Sequence, residues 1–277
     1  MGWHPGYLAA FVLTMAILLE TIVLYIVLPM LAGYGALREN YRHDLVPVAG
    51  GMTFPITILL CYILIHLSTG HTGNSFNLYL LAVMGMAFLG FLDDMLGQRD
   101  SLGFRGHFGR LFREGELTTG ALKALGGGII AVYVSLFYSR TIGEFLVNVL
   151  VIALFTNCMN LFDLRPGRCI KAFVLFFLPM LAYSGSYFIL FIPIAGAVLA
   201  YFPYDVKARV MMGDTGSNVL GVTLGIMAVY GLELPTRLIL LVGLVLLHIF
   251  TERYSLSKII DNNRFLRWFD MLGRSDG

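Results

Sequence analysis

Residues 77–94, NLYLLAVMGMAFLGFLDD, decide the fold class of this chain. An apolar run over 77–92 ends on two adjacent aspartates, Asp93 and Asp94. A run of that kind is a helix with lipid or protein on every side, and a carboxylate at its end is costly without a partner or a task. The same design recurs along the chain. Apolar runs lie at roughly 7–33, 51–68, 77–92, 120–138, 143–160, 169–184, 186–203, 217–232 and 235–252. Each is long enough, or nearly so, to cross a hydrocarbon core.

Composition agrees. The 277 residues are 58% hydrophobic and 13% charged, with mean hydropathy +0.79. Soluble domains carry about 25% charged residues. The expected fold is an all-α polytopic membrane protein, one integral membrane domain over 1–277, with about nine transmembrane helices. Three scattered cysteines, Cys61, Cys158 and Cys169, suit neither a disulfide framework nor a zinc site. The mildly basic pI near 8.4 carries no nucleic-acid signature. No cleavable leader is expected, because the first apolar run is too long for a leader's apolar segment.

Basic residues set the orientation. With nine spans, all of the 19 Lys and Arg residues except Arg140 and Arg237 fall on one side. That side holds Arg38 and Arg42, the group Arg99, Arg105, Arg110, Arg113 and Lys123, and the basic C-terminal stretch. The positive-inside rule makes it cytoplasmic, with the N-terminus outside and the C-terminus inside the cell membrane. Asp93 and Asp94 after the third run, Asp163 after the fifth and Asp214 before the eighth all land on this side.

Carboxylates brought together repel one another unless a cation or protons neutralise them. Hard oxygen ligands suit Mg²⁺, with Mn²⁺ as the other fit. A membrane-level cation beside arginines points to phosphate chemistry. Gly50 and Gly51, in VPVAGG, either let a phosphate approach the backbone or form a plain loop-to-helix turn. Asn157, Asn160 and Asp163 share one helical face by their spacing. Glu20, midway along the first run, is expected to face a helix partner or a dimer interface. His248 reads as a packed histidine. The stretch SLSKIIDNNRFLRWFDMLGR (255–274) interleaves apolar and basic residues. It reads as an amphipathic helix on the cytoplasmic membrane surface, 255–272, or as a cover over the site.

Four segments in order, NYRHDLVPVAGG (40–51), FLDD (91–94), NCMNLFD (157–163) and MGDTGSN (212–218), give a specific resemblance. Over about 40–255 the chain resembles the polyprenyl-phosphate N-acetylhexosamine-1-phosphate transferases. The resemblance implies transfer of a sugar-1-phosphate from a UDP-sugar to undecaprenyl phosphate, with Mg²⁺, on the cytoplasmic face. It implies that Asp93 and Asp94 lie near the lipid phosphate and the metal, one of them deprotonating the attacking phosphate. It implies Asp214, with Asp94, at the metal. It places Asn157, Asn160 and Asp163 along the nucleotide–diphosphate site. The partners implied are polyprenyl phosphate, a nucleotide sugar and membrane lipid, with a homodimer also in keeping with the family.

The departures from the pattern are systematic. Gly97 stands where the family usually has Lys or Asp. Pro166 replaces an aspartate that reads uracil, and Met211 replaces a stacking Phe. A histidine cluster and the final span have no counterpart. Metal candidates are kept while recognition positions change, so Arg165 and Arg168 are expected to serve as the phosphate ligands. The alternative is a non-catalytic membrane protein that binds polyprenyl phosphate or organises envelope enzymes. A transporter is a weaker reading, since the acids gather at one face and not along a midplane path.

Overall fold

The structure, a computed structural model, describes residues 5–69, 73–97 and 118–274. Arg99, Arg105, Arg110 and Arg113 lie outside the described residues. Among those described, nine long helices coincide with the nine apolar runs. They are α1 (Pro5–Gly33), α2 (Thr53–Thr69), α3 (Asn74–Leu96), α4 (Thr119–Tyr138), α5 (Ile142–Phe162), α6 (Arg168–Tyr183), α7 (Phe188–Val206), α8 (Gly213–Gly231) and α9 (Leu234–Arg253). Two short helices follow, α10 (Leu256–Asn262) and α11 (Arg264–Met271). In an apolar surround every backbone group must bond within its own segment, which leaves helices as the form for such runs.

Seven of the nine are long and apolar enough to cross a membrane by length and composition. Helices α6 and α8 are not among them. With 16 residues, α6 rises only about 24 Å, short of a full hydrocarbon core. Helix α8 begins with the polar GDTGSN and is enclosed by protein, its residues from Thr215 to Val229 all buried. It packs against α3, α5 and α6. A helix shielded by other helices has no need of a lipid-facing surface.

Glycines make that enclosure possible. A side chain at Gly225 would meet the Ile152 Cα at 2.6 Å, and one at Gly221 would meet the backbone of Thr156. Such contacts are with backbone and cannot be relieved by a rotamer change. Gly225→Val is therefore expected to lower stability by about 3 kcal/mol or more, the upper end of overpacking effects. A thermal melt in detergent measures it, and a melting temperature matching wild type would contradict it.

At the end of the bundle away from the aspartates, Arg237 is buried on α9. Its Nη2 lies 2.8 Å from Glu144 Oε1, and Glu144 Oε2 accepts from the Arg140 amide at 2.9 Å. One glutamate thus serves both basic residues of that end. Glu20 faces a helix partner: its Oε2 accepts from Thr57 Oγ1 of α2 at 2.6 Å. His248 is packed in α9, with Nδ1 2.7 Å from the Leu244 carbonyl oxygen.

The α1–α2 connection holds a small antiparallel hairpin, β1 (Leu37–Glu39) and β2 (Leu45–Pro47), which the sequence did not announce. Its turn is organised by Asn40, whose Oδ1 accepts from the Arg42 and Asp44 amides at 2.8 and 3.1 Å. Asn40 Nδ2 donates to the Ala208 carbonyl at 3.1 Å, pinning the hairpin to the α7–α8 loop.

Candidate active site

The aspartate end of the bundle opens into a cavity of about 370 Å³. Its wall includes Asp93 and Asp94 from α3, Asp163 from the end of α5, Asp205 from α7 and Asp214 from α8. The cationic residues on the wall are Arg38 and Arg165. Gly97, Pro166 and Met211, the positions that depart from the resembled pattern, line the same cavity.

The acids do different work. Asp94 is buried and its carboxylate closes the N-terminus of α8. Oδ1 accepts from the Asp214 amide at 3.0 Å, and Oδ2 accepts from the Thr215 amide at 2.9 Å and from Thr215 Oγ1 at 2.6 Å. The first amides of a helix have no partner within it, and a carboxylate there also meets the positive end of the helix dipole. Close approach requires glycine on both sides. Gly213 has φ +71 and its missing side chain would strike the Asp94 carboxylate, while one at Gly90 would strike the Asp214 backbone. Asp94, read from the sequence as a catalytic and metal-binding acid, lines the cavity and has both oxygens bonded to the N-terminus of α8. Asp94→Asn is therefore expected to cost about 1.5–3 kcal/mol of stability, the range for hydrogen bonds to a charged group. Denaturant titration in detergent reads this, and unchanged stability would remove the capping role.

Asp93 and Asp214 converge on Lys123 of α4. Lys123 Nζ lies 2.9 Å from Asp93 Oδ2 and also pairs with Asp214 Oδ2. Asp163 caps α5, with its amide bonded to the Met159 and Asn160 carbonyls at 3.1 Å. Burial, and then the negative charges of Asp205, Asp214 and Asp94, hold the Asp163 carboxyl well above the ordinary carboxylate range. Among the described residues neither Asp163 nor Asp205 has an ion pair. Among the described residues five carboxyl groups thus face three cations, Arg38, Arg165 and Lys123.

That donor set fits Mg²⁺ or Mn²⁺. No group of three or more His, Cys, Asp or Glu side chains among the described residues forms a ready-made metal cage. Mg²⁺ does not need one, since it usually takes one or two carboxylates and completes its shell with water and phosphate oxygens.

Other expected ligands are placed differently. The Gly50 and Gly51 amides donate to the Met211 and Met212 carbonyls, each at 3.0 Å, so they hold the α2 entry loop to the α7–α8 loop and offer no open donors. A side chain at Gly51 would strike the Gly216 backbone, which accounts for the pair without a phosphate. Asn160 is engaged by α8: Nδ2 donates to Asn218 Oδ1 at 2.9 Å and Oδ1 accepts from Ser217 Oγ. Asn157 is half-buried one turn earlier and, like Asn160, is not part of the cavity wall. Arg165 stays at the site, exposed, with its guanidinium 5.7 Å from the centre of the Tyr41 ring. Arg168 does not. It is buried in a bidentate pair with Asp270 of α11, Nε–Oδ1 2.8 Å and Nη2–Oδ2 2.9 Å.

Three residues at the site went unread in the sequence. Arg38 and Lys123 had counted only toward topology, yet Arg38 donates to the Asp94 carbonyl and Lys123 bridges two acids. Asp205, with Oδ2 accepting from the Gly167 amide at 2.9 Å, is another acid at the end of an apolar run. The rule that singled out the other four would have found it.

The segment α3 through α8 supplies most of the cavity wall. Residues 76–232 match the model of glycosyl transferase family 4. The phospho-N-acetylmuramoyl-pentapeptide-transferase of Clostridium perfringens (strain 13 / Type A) is 30% identical over 234 residues, covering 75% of this chain and 68% of its own. The enzyme of that name from Carboxydothermus hydrogenoformans is 28% identical over 230 residues, covering 75% and 68%. The one from Clostridium botulinum (strain Eklund 17B / Type B) is 27% identical over 220 residues, covering 75% and 66%. The chain therefore spans about two-thirds of the length of these relatives. The matched residues carry FLDD, NCMNLFD and MGDTGSN, the helix ends that meet around the cavity, and the chain belongs to glycosyl transferase family 4.

Proposed function

We propose that this protein transfers a sugar-1-phosphate from a nucleotide sugar to polyprenyl phosphate at the cytoplasmic membrane face. The step would begin a cell-envelope glycan. The observation that carries the reading is the convergence of five aspartates with Arg38, Arg165 and Lys123 at one end of a membrane bundle. The names of the relatives support it. The donor is of the UDP-N-acetylhexosamine type, with its recognition altered where Gly97, Pro166 and Met211 line the cavity.

In the reaction, an oxygen of the acceptor phosphate forms a bond to the β-phosphorus of the donor. The bond between that phosphorus and the bridging oxygen breaks, and the nucleoside monophosphate leaves with the electron pair. Asp214 and Asp163 would hold Mg²⁺, which would supply neutralisation of the diphosphate charge when bound. The Lys123 ammonium, between Asp93 and Asp214, is placed to balance carboxylate charge as phosphates enter. Asp93, at the edge of the cavity, is the carboxylate for the acceptor phosphate and its proton. Arg165, steadied on the Tyr41 ring, presents a planar fork to phosphate oxygens.

Arg165→Ala is expected to raise the donor KM about tenfold, equivalent to about 1.4 kcal/mol of lost binding, with little change in kcat. Release of UMP from UDP-N-acetylglucosamine, with Mg²⁺ and undecaprenyl phosphate, measures it. An unchanged KM would remove Arg165 from the donor site. One observation favours the non-catalytic alternative: Asp93 and Asp214 are both engaged in ion pairs with Lys123. Absence of nucleotide release across a panel of nucleotide sugars, with polyprenyl phosphate still bound, would establish that alternative.

A further inference from the structure

A second cavity, about 760 Å³, lies between α6 and α7 on a different face from the acidic one. Its origin is packing. Helix α6 packs chiefly on α8, and α7 chiefly on α1 and α2, so α6 and α7 meet over only part of their length and leave a furrow beside that contact. Its walls are aliphatic and aromatic, with Val174, Leu175 and Leu178 on one side and Val198, Leu199 and Phe202 on the other. Leu175, Leu178 and Leu199 are 64%, 59% and 56% exposed, so the furrow opens sideways toward the surroundings of the bundle. From Lys171 to Pro179, both on its wall, it descends about 12 Å along α6. Phe269 and Leu272 of the C-terminal helix close the end nearest the aspartates.

That end is positively charged. Lys171 Nζ donates to two neutral acceptors, the Phe269 carbonyl at 3.0 Å and the Asp270 carbonyl at 2.6 Å. Among the described residues it has no carboxylate partner. Arg274 Nε donates to the Pro166 carbonyl at 2.8 Å. Its Nη2 is buried and forms an ion pair with Asp270 Oδ1 at 3.0 Å. The Asp270 carboxylate is already forked onto Arg168. Asp205, the nearest further acid, turns its Oδ2 to the Gly167 amide. Arg168 and Arg274 therefore share the single carboxylate of Asp270, and Lys171 beside them meets only backbone carbonyls. An apolar furrow in a membrane bundle, with the Lys171 ammonium on its wall and no carboxylate paired to it among the described residues, has the form of a site for a chain with an anionic head.

We propose that this furrow binds one acyl chain of an anionic phospholipid, with the lipid phosphate at Lys171. The bound lipid fastens α11 over the furrow. Because Arg274 holds the Pro166 carbonyl, it also steadies the Asp163–Gly167 loop at the edge of the acidic cavity. The proposal does not depend on the transferase reading, and its test needs no turnover.

The full chain has two tryptophans, so Trp3→Phe leaves Trp268, beside Phe269 on α11, as the reporter. The protein is placed in phosphatidylcholine nanodiscs containing either brominated-chain phosphatidylglycerol or brominated-chain phosphatidylcholine. Half-maximal quenching of Trp268 is expected at an about fivefold lower mole fraction of the phosphatidylglycerol, the factor one cation contributes near anionic lipid. Lys171→Gln is expected to bring the two curves together. Leu199→Phe, on the exposed wall, is expected to narrow the furrow and weaken quenching with the head-group contacts intact. Coincident curves for the two lipids in the parent protein would overturn the proposal. So would a preference that survives both substitutions. Reversal of the quenching by equimolar undecaprenyl phosphate would also overturn it, assigning the furrow to the acceptor.

Discussion

Asp214→Asn is expected to lower the rate of nucleotide release by about 10²–10³-fold, the cost of removing one preorganised electrostatic group from a site of charge transfer. The substitution keeps the shape of the side chain. It also keeps the Asp214 amide, which donates to Asp94 Oδ1 at 3.0 Å and belongs to the structural cap of α8. What is lost is one negative charge facing the cavity, the charge that Lys123 now shares with Asp93. Stability should therefore change little while turnover collapses. Asp94→Asn should behave in the opposite manner, with a loss of stability preceding any loss of turnover, since its oxygens are bonded to α8. The pair separates a chemical acid from a capping one within the same cavity. Near-wild-type release by Asp214→Asn would overturn the assignment of the diphosphate site.

That separation marks the limit of what the sequence tells. The nine apolar runs and the nine long helices coincide because an apolar run in an apolar surround has only one way to satisfy its backbone. The meeting of Asp93, Asp94, Asp163 and Asp214 was legible for a similar reason: each adjoins a run, and run parity puts them at one end. Which oxygen bonds to what was not legible. It depends on how α3 is rotated against α8, fixed by Gly90 and Gly213 across a gap of more than a hundred residues. Gly50 and Gly51 look equally apt for a phosphate or for a backbone contact, and only the Met211 and Met212 carbonyls decide. The hairpin escaped notice because its strands have three residues each and no alternating pattern. Lys123 was hidden by its own charge, which already had an explanation in topology.

Arg168 is the residue whose role changed most, and it sets the last prediction. Asp270→Ala is expected to destabilise the docking of the C-terminal helices by about 3–5 kcal/mol, the cost of leaving one member of a buried ion pair alone. Arg168 is 4% exposed, and both oxygens of Asp270 are forked onto it. Nearby, Ser257 Oγ accepts from Arg168 Nη1 at 2.8 Å and cannot supply the missing charge. Burial pushes the Asp270 carboxyl up, but its hydrogen bonds to Arg168 and the charges of Arg168, Arg274 and Lys171 outweigh this and hold it below the ordinary range, so the pair stays ionised around neutrality. Loss of the carboxylate should free α11, and with it the Arg274 contact to Pro166, while α1–α9 keep their own packing. Amide hydrogen exchange should rise sharply over 255–274 and modestly over 163–167, and stay unchanged in α8. Replacing both partners by apolar residues, Arg168→Met with Asp270→Leu, should restore protection, because well-packed apolar pairs replace buried ion pairs at little cost. If exchange over 255–274 is unaltered in Asp270→Ala, the ion pair does not hold the helix, and the apolar contacts of Phe269 and Leu272 do.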